Sequence, residues 1–141
     1  MRLTSFTDFG LRALMRMAGA PERAFSIQEL AGELQISRHH LAKVVATLAS
    51  GGFVTTRRGG GGGTHLARPA REIRLGDVIA LLEGGHVLVE CFAAQGNTCS
   101  LTPHCRLKGR LAAAERVFLA ELNASTLEEC ALPASALGAT L

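Results

Sequence analysis

The chain has 141 residues, 48% of them apolar, with neither Trp nor Tyr and a formal charge of +3. That is one domain's worth of core, and no run approaches the ~20 apolar residues that cross a bilayer. Asp8, Arg12 and Arg16 interrupt the N-terminal "MRLTSFTDFGLRALMRMA", which therefore reads as neither a signal peptide nor a membrane anchor, and the expected compartment is the cytoplasm. Disulfide frameworks are rare there, so clustered cysteines point instead to metal or redox chemistry. The charge is divided unevenly. Residues 1–74 hold 11 Lys/Arg against 5 Asp/Glu, and residues 75–141 hold 4 against 7. A basic first half is the electrostatic footprint of a nucleic-acid binder.

The first predicted helix is capped by Thr4 or Ser5. Phe6, Gly10, Ala13, Leu14 and Met17 fall on one face, with Asp8, Arg12 and Arg16 sharing the other at i, i+4 spacing. Gly19 and Pro21 end it. Ser26 followed by Glu29 forms a capping box for a short helix through Ile27, Leu30, Ala31 and Leu34. After "LQIS", Ser37 caps a further helix whose stripe is Leu41, Val44, Val45 and Leu48. Two short helices joined by a tight turn make a helix-turn-helix. Its second helix offers Ser37, Arg38, His39, His40, Lys43 and Thr47 to a major groove, from its start and its outward face.

In "FVTTRRGGGGGTHLAR", β-branched residues flank five glycines, the pattern of a hairpin with a flexible basic tip. Arg57 and Arg58 stand beside the tip, placed for phosphates or a minor groove. The segment "EIRLGDVIALLEGG" predicts another amphipathic helix with Val78, Ile79 and Leu82 inward. Beyond it, Leu107, Leu111, Ala114, Phe118 and Leu122 recur at helical spacing. A seam that long, set beyond a compact winged helix, is expected to pair with its counterpart in a second subunit. The tail after Leu127 is expected to be loose. The predicted fold is thus mainly α with a small β-hairpin: a winged helix-turn-helix over 1–85, a loop over 86–104, a dimerisation helix over 105–127 and a flexible tail over 128–141.

The loop carries the chemistry. Cys91, Cys99 and Cys105 lie within fifteen residues, and only Cys130, read as a bystander, stands elsewhere. Thr102-Pro103 reads as an N-cap with Pro at the first helical position, placing Cys105 in the first turn of the long helix. There, free N–H groups favour a thiolate. The spacing C-x7-C-x5-C lacks the paired C-x2-C knuckles of a zinc ribbon, which leaves zinc open but less favoured. Three thiolates are one short of the four that usually hold an iron–sulfur cluster. His104, His86 and Glu90 are local candidates for the fourth ligand and Asp8 a distant one, though Asp8 also suits an ion pair with Arg12. No phosphate loop and no paired catalytic carboxylates are present, so an enzyme is not expected. A thiol enzyme or disulfide switch would rest on His104 beside Cys105 alone.

"LTSFTDFGLRAL", "SRHHLAKVVATL", "GGFVTTRRGGGGGTHLARPAREIRLGDVI" and three cysteines ending in "TPHCRLK" occur in one collinear order. Together they resemble a family of dimeric winged-helix regulators that sense through iron–sulfur clusters, over roughly residues 1 to 127. The resemblance implies a homodimeric repressor of double-stranded operator DNA, with Cys91, Cys99 and Cys105 ligating the cluster and Asp8 supplying the fourth ligand from the partner subunit. A four-iron cluster is favoured over a two-iron one. Within the family the likeness is to the branch that responds to nitric oxide, in which reaction of the cluster releases DNA and derepresses nitric oxide detoxification genes. A sister branch governing iron–sulfur assembly carries a histidine three residues after the last cysteine, where this chain has Lys108. That branch, a redox or iron sensor, and a zinc-stabilised DNA-binding protein are the alternatives. The gap between Cys91 and Cys99 and the five-glycine wing depart from the family pattern.

Overall fold

The computed structural model describes residues 2–138. Helix α1 (Ser5–Ala18) begins where the Thr4 hydroxyl accepts the Thr7 amide at 3.2 Å. Its buried face is the predicted stripe of Gly10, Ala13, Leu14 and Met17. Gly10 lies so close to two later segments of the chain that a Cβ there would meet Leu82 and Val44. Arg16 departs from its predicted place on the solvent face, being only 1% exposed. The reason is tertiary: Glu33 offers a carboxylate 2.7 Å from Nε, and the Phe25 ring lies 4.8 Å beneath the guanidinium. A charge can be buried when it finds such partners.

Helix α2 (Ile27–Leu34) carries both arms of the predicted capping box, Glu29 N to Ser26 Oγ at 3.0 Å and Ser26 N to Glu29 Oε2 at 2.8 Å. Such a cap contributes about 1 kcal/mol. The chain then turns through Gln35 in the left-handed region (φ 54°), and Ile36 N bonds back to Ala31 O while its side chain is buried. Ser37 caps α3 (Arg38–Ser50), which buries Leu41, Val44, Val45 and Leu48 as its periodicity predicts. These side chains, with Leu30 of α2 and Ala13, Leu14 and Met17 of α1, form the centre of the core.

Strands β1 (Val54–Arg57) and β2 (Gly63–Leu66) pair antiparallel, Val54 opposite Leu66 and Arg57 opposite Gly63. Phe25 bridges to Thr64, each amide donating to the other's carbonyl at 2.9 and 2.7 Å. At Gly63 (φ 147°) an added Cβ would sit 2.8 Å from the Phe25 carbonyl oxygen, so only glycine lets the two backbones approach this closely.

Helix α4 (Leu75–Leu82) buries Val78, Ile79 and Leu82, as predicted. Helix α5 (Arg106–Asn123) lies against it. The Asn123 amide group bridges the two, accepting from Asp77 N and donating to Asp77 Oδ1, both at 2.9 Å. No residue of α5 is buried. The predicted seam divides: Phe118 and Leu122 line an apolar cavity shared with Leu3, Leu11 and Met15 of the same chain, while Leu107 points outward, 62% exposed, as does Val117, which lies outside that seam, at 67%. Docking against α4 rotates α5 so that only part of the seam faces away. Beyond α5 the described chain makes contacts with the core, and residues 139–141 of the expected tail lie outside the described residues. Leu127 is fully buried and bonded to Ile73, and Leu132 N donates to Met15 O at 2.8 Å.

Candidate functional site

Two surfaces carry the chemistry-bearing residues. The first is the start and outer face of α3 with the adjoining hairpin. The Ser37 side chain accepts the His40 amide at 3.5 Å, leaving Arg38, His39, His40 and Lys43 exposed in the first turns. The His40 ring stacks over Phe9 of α1 at 6.5 Å between centroids, and His39 lies tilted beside it at 6.1 Å. Thr47 is half-buried and its hydroxyl donates to Lys43 O at 3.2 Å, so it is partly engaged within the helix. Arg57 and Arg58 are exposed at the hairpin tip. Sequence reasoning missed Arg68, whose guanidinium stands 5.2 Å from the Phe53 ring at the hairpin base. Its signal, a cation two residues beyond β2, has no period and became legible only once Phe53 was placed.

The second surface is the thiol loop between α4 and α5. Cys91, Cys99 and Cys105 are all free of disulfides and half-buried. Cys91 lines a cavity of about 990 Å³ with Thr4, Glu83, His86, Lys108 and Glu115. Cys99 is enclosed in a local turn: Asn97 Oδ1 accepts its amide at 3.1 Å, and Thr102 Oγ1 donates to its carbonyl at 2.9 Å. Because the Thr102 hydroxyl closes that turn, it does not cap α5. Thr102–His104 form a separate 3-10 turn, and Cys105 is the N-cap residue of α5 in extended conformation rather than a member of its first turn. His104 and Glu90 are exposed. Asp8 is held by Arg12 at 2.6 Å on the surface of α1.

Among the described residues, no three His, Cys, Asp or Glu side chains are gathered closely enough to hold a metal ion. The donor set nevertheless fits an iron–sulfur cluster in kind: three free thiols, with one at a helix start whose first amide groups are unpaired. The backbone hydrogen bonds of residues 89–104 all run within the segment. None of these backbone bonds joins Cys99 to the core.

Glu83 is the residue that sequence reasoning overlooked. One of its carboxylate oxygens accepts the Thr4 amide at 2.8 Å, the Thr4 hydroxyl at 2.9 Å and the Thr7 hydroxyl. Partial burial pushes its carboxyl up, but these bonds and nearby His86 outweigh burial and hold it below its ordinary value. Glu83 thus clamps the end of α4, where the thiol loop begins, to the start of α1. A contact 79 residues apart in sequence leaves no local pattern.

A family model described as Rrf2, iron-dependent transcriptional regulator, matches residues 3–131. The chain belongs to the Rrf2 family. Rrf2 regulators bind DNA, typically as dimers, and this one has the family's winged-helix architecture. Among solved structures it is similar to T. potens IscR, with 25% identity, a TM-score of 0.68, and coverage of 90% of this chain and 83% of that one. The oxidised form of Staphylococcus aureus CymR gives 25% identity and a TM-score of 0.67, with 91% and 94% coverage. CymR of B. subtilis, described as its global cysteine regulator, shares the fold at 23% identity and a TM-score of 0.68, with 93% and 96% coverage. No helix among the described residues is long and apolar enough to cross a membrane.

Proposed function

We propose that this Rrf2 chain is a homodimeric repressor that holds an iron–sulfur cluster through Cys91, Cys99 and Cys105, with Asp8 of the partner subunit as fourth ligand, and that it releases operator DNA on exposure to nitric oxide. The observation that carries this reading is the position of the three free thiols. They occupy one locally bonded loop that opens at the Glu83 clamp on α1 and closes at the start of α5, the helix with no buried residue. The collinear motifs shared with the nitric oxide-sensitive repressor NsrR, and Lys108 where the iron–sulfur assembly branch carries histidine, favour this reading over an IscR-like one.

When bound, the cluster supplies iron, for which nitric oxide is a good ligand. The protein's own groups do the rest. Cys105 stands at the N-cap position of α5, beside the helix's first amides. Asp8 of the partner subunit would tie the loop to α1, and each α1 is packed against its recognition helix α3, so loss of that tie would free the two recognition helices. Half-sites one helical turn apart tolerate little error in that separation. A coupling of ~1–3 kcal/mol changes occupancy about five- to 150-fold. In DNA binding, His39 and Lys43 are assigned to base edges with Ser37, Arg38, His40 and Thr47 beside them, and Arg57 and Arg58 to phosphate.

The test is to purify the protein without oxygen, assay iron and labile sulfide, and follow operator binding by fluorescence anisotropy during a nitric oxide titration. Brown protein that loses the operator as nitric oxide is added, with Cys→Ser at any of the three positions abolishing both colour and response, is the expected result. Colourless, zinc-loaded protein would replace the cluster by a structural metal. Release governed by iron supply or oxidation and indifferent to nitric oxide would move the chain to the iron–sulfur assembly reading.

A further inference from the structure

Arg16 is a buried cation that neither the helix-turn-helix pattern nor the thiol loop calls for. It occupies the inner side of α1, 1% exposed, and among the described residues its Nη1 is buried without a hydrogen-bond partner. Nε contacts Glu33 of α2 at 2.7 Å, and the guanidinium stands 4.8 Å from the Phe25 ring centroid. A second cation, Arg23, faces the same ring at 4.3 Å and reaches Glu33 at 3.6 Å and Glu29 at 3.3 Å. Phe25 is itself fully buried. It precedes Ser26, the cap of α2, and exchanges two backbone hydrogen bonds with Thr64 in the middle of β2. The ring that two arginines hold is therefore on a residue that joins the start of the helix-turn-helix to strand β2 of the wing.

We infer that Arg16, acting with Arg23 on Phe25 and Glu33, is a positioning residue for DNA recognition: it fixes the angle at which the wing leaves the helix-turn-helix, and so where Arg57 and Arg58 meet the phosphates. The chemistry suits that task better than an apolar contact would. A guanidinium paired to a carboxylate and seated over a ring accepts one geometry, whereas an aliphatic side chain slides. Packing alone does not require a charge here, since buried ion pairs are often replaceable by apolar groups of similar volume without loss of stability. That makes Arg16 a residue whose removal is read in the complex more than in the melt.

The inference rests on the reading that the wing tip contacts phosphate, and the experiment separates the two. Operator affinity is measured against salt concentration for the full-length chain, for Arg16→Met, for Phe25→Leu, and for the Arg57→Ala/Arg58→Ala double variant. Each lost phosphate contact lowers the slope of log affinity against log salt by about 0.9. The double variant is expected to lower it by about 2 per chain. Arg16→Met is expected to lose most of that same increment while keeping its circular dichroism and a melting temperature above the assay temperature. Combining Arg16→Met with the wing variant should then add little further loss. Phe25→Leu keeps the backbone bridge but removes the ring, and is expected to behave like Arg16→Met. Should Arg16→Met fail to fold, Phe25→Leu decides. A folded Arg16→Met or Phe25→Leu with an unchanged slope overturns the positioning role. An unchanged slope in the wing variant itself removes the phosphate contact on which that role depends.

Discussion

At the scale of single residues, the groups that matter most are polar atoms that the fold has partnered at long range. Glu83 is the clearest. Its carboxylate is held below the ordinary value of 4.5 although burial opposes this, because Thr7 and Thr4 donate to the charged form and His86 lies nearby. A carboxylate with a depressed folded value contributes stability above its unfolded value and loses that contribution as pH falls through the folded one. Glu83→Gln is therefore expected to lower stability at pH 7 by about 1 kcal/mol, in line with one hydrogen bond to a charged group weakened. Melts of the two proteins should converge as pH drops well below 4.5. A constant difference from pH 7 to acid would show that the charge is not what clamps α1. Nothing local in "LLEGG" announces this role. The serine caps, by contrast, were legible, because their partners lie three residues away.

At the scale of elements, what periodicity fixed was which face of each helix is apolar, and what it left open was the partner of that face. For α2, α3 and α4 the partner is the single core, so stripe and burial coincide. For α5 the seam read as one surface, yet Phe118 and Leu122 turn toward the chain's own cavity while Leu107 and Val117 are left outside. The proposed pairing of α5 with a second copy would use these exposed apolar side chains. The Leu107→Glu/Val117→Glu double variant is expected to retain its fold, with a stability change within about 0.5 kcal/mol for the isolated chain. In sedimentation it should shift toward the monomer and lose affinity for a two-half-site operator. Dimers of unaltered mass and tightness would place the interface elsewhere.

At the scale of the whole molecule, the division of charge is the property that composition made visible first. The basic half folds into the helix-turn-helix and hairpin, and the acidic half supplies most of α4, the thiol loop and α5. Binding dominated by phosphate neutralisation falls linearly in log affinity with log salt, and ~6–10 contacts correspond to about 10³–10⁵ between roughly 50 and 200 mM. A dimer presenting Arg38, Arg57 and Arg58 from each chain offers about six such contacts and is expected near the lower part of that range, and a flat salt response would exclude this face as the DNA surface. The recognition elements were legible because each is built from local signals: a capping box, a three-residue turn, a glycine run between β-branched strands. The thiol site was legible only as a set of ligand types. Its assembly depends on distances between segments that no sequence period encodes, and the described residues of one chain do not bring those ligands together.

The amino-acid sequence alone determined the order and type of the elements, the apolar face of α3, the basic hairpin and the presence of three clustered thiols. Each of these follows from interactions within a few residues or from composition. The tertiary structure decided that Arg16 is buried, that Glu83 clamps α1, that Cys105 sits at the N-cap position outside the first turn of α5, and that Leu132 is bonded to α1. The physical reason is common to all four. The energy of a charge, a cap or a tail depends on what is placed against it, and that neighbour comes from a distant part of the chain or from a competing use of the same hydroxyl.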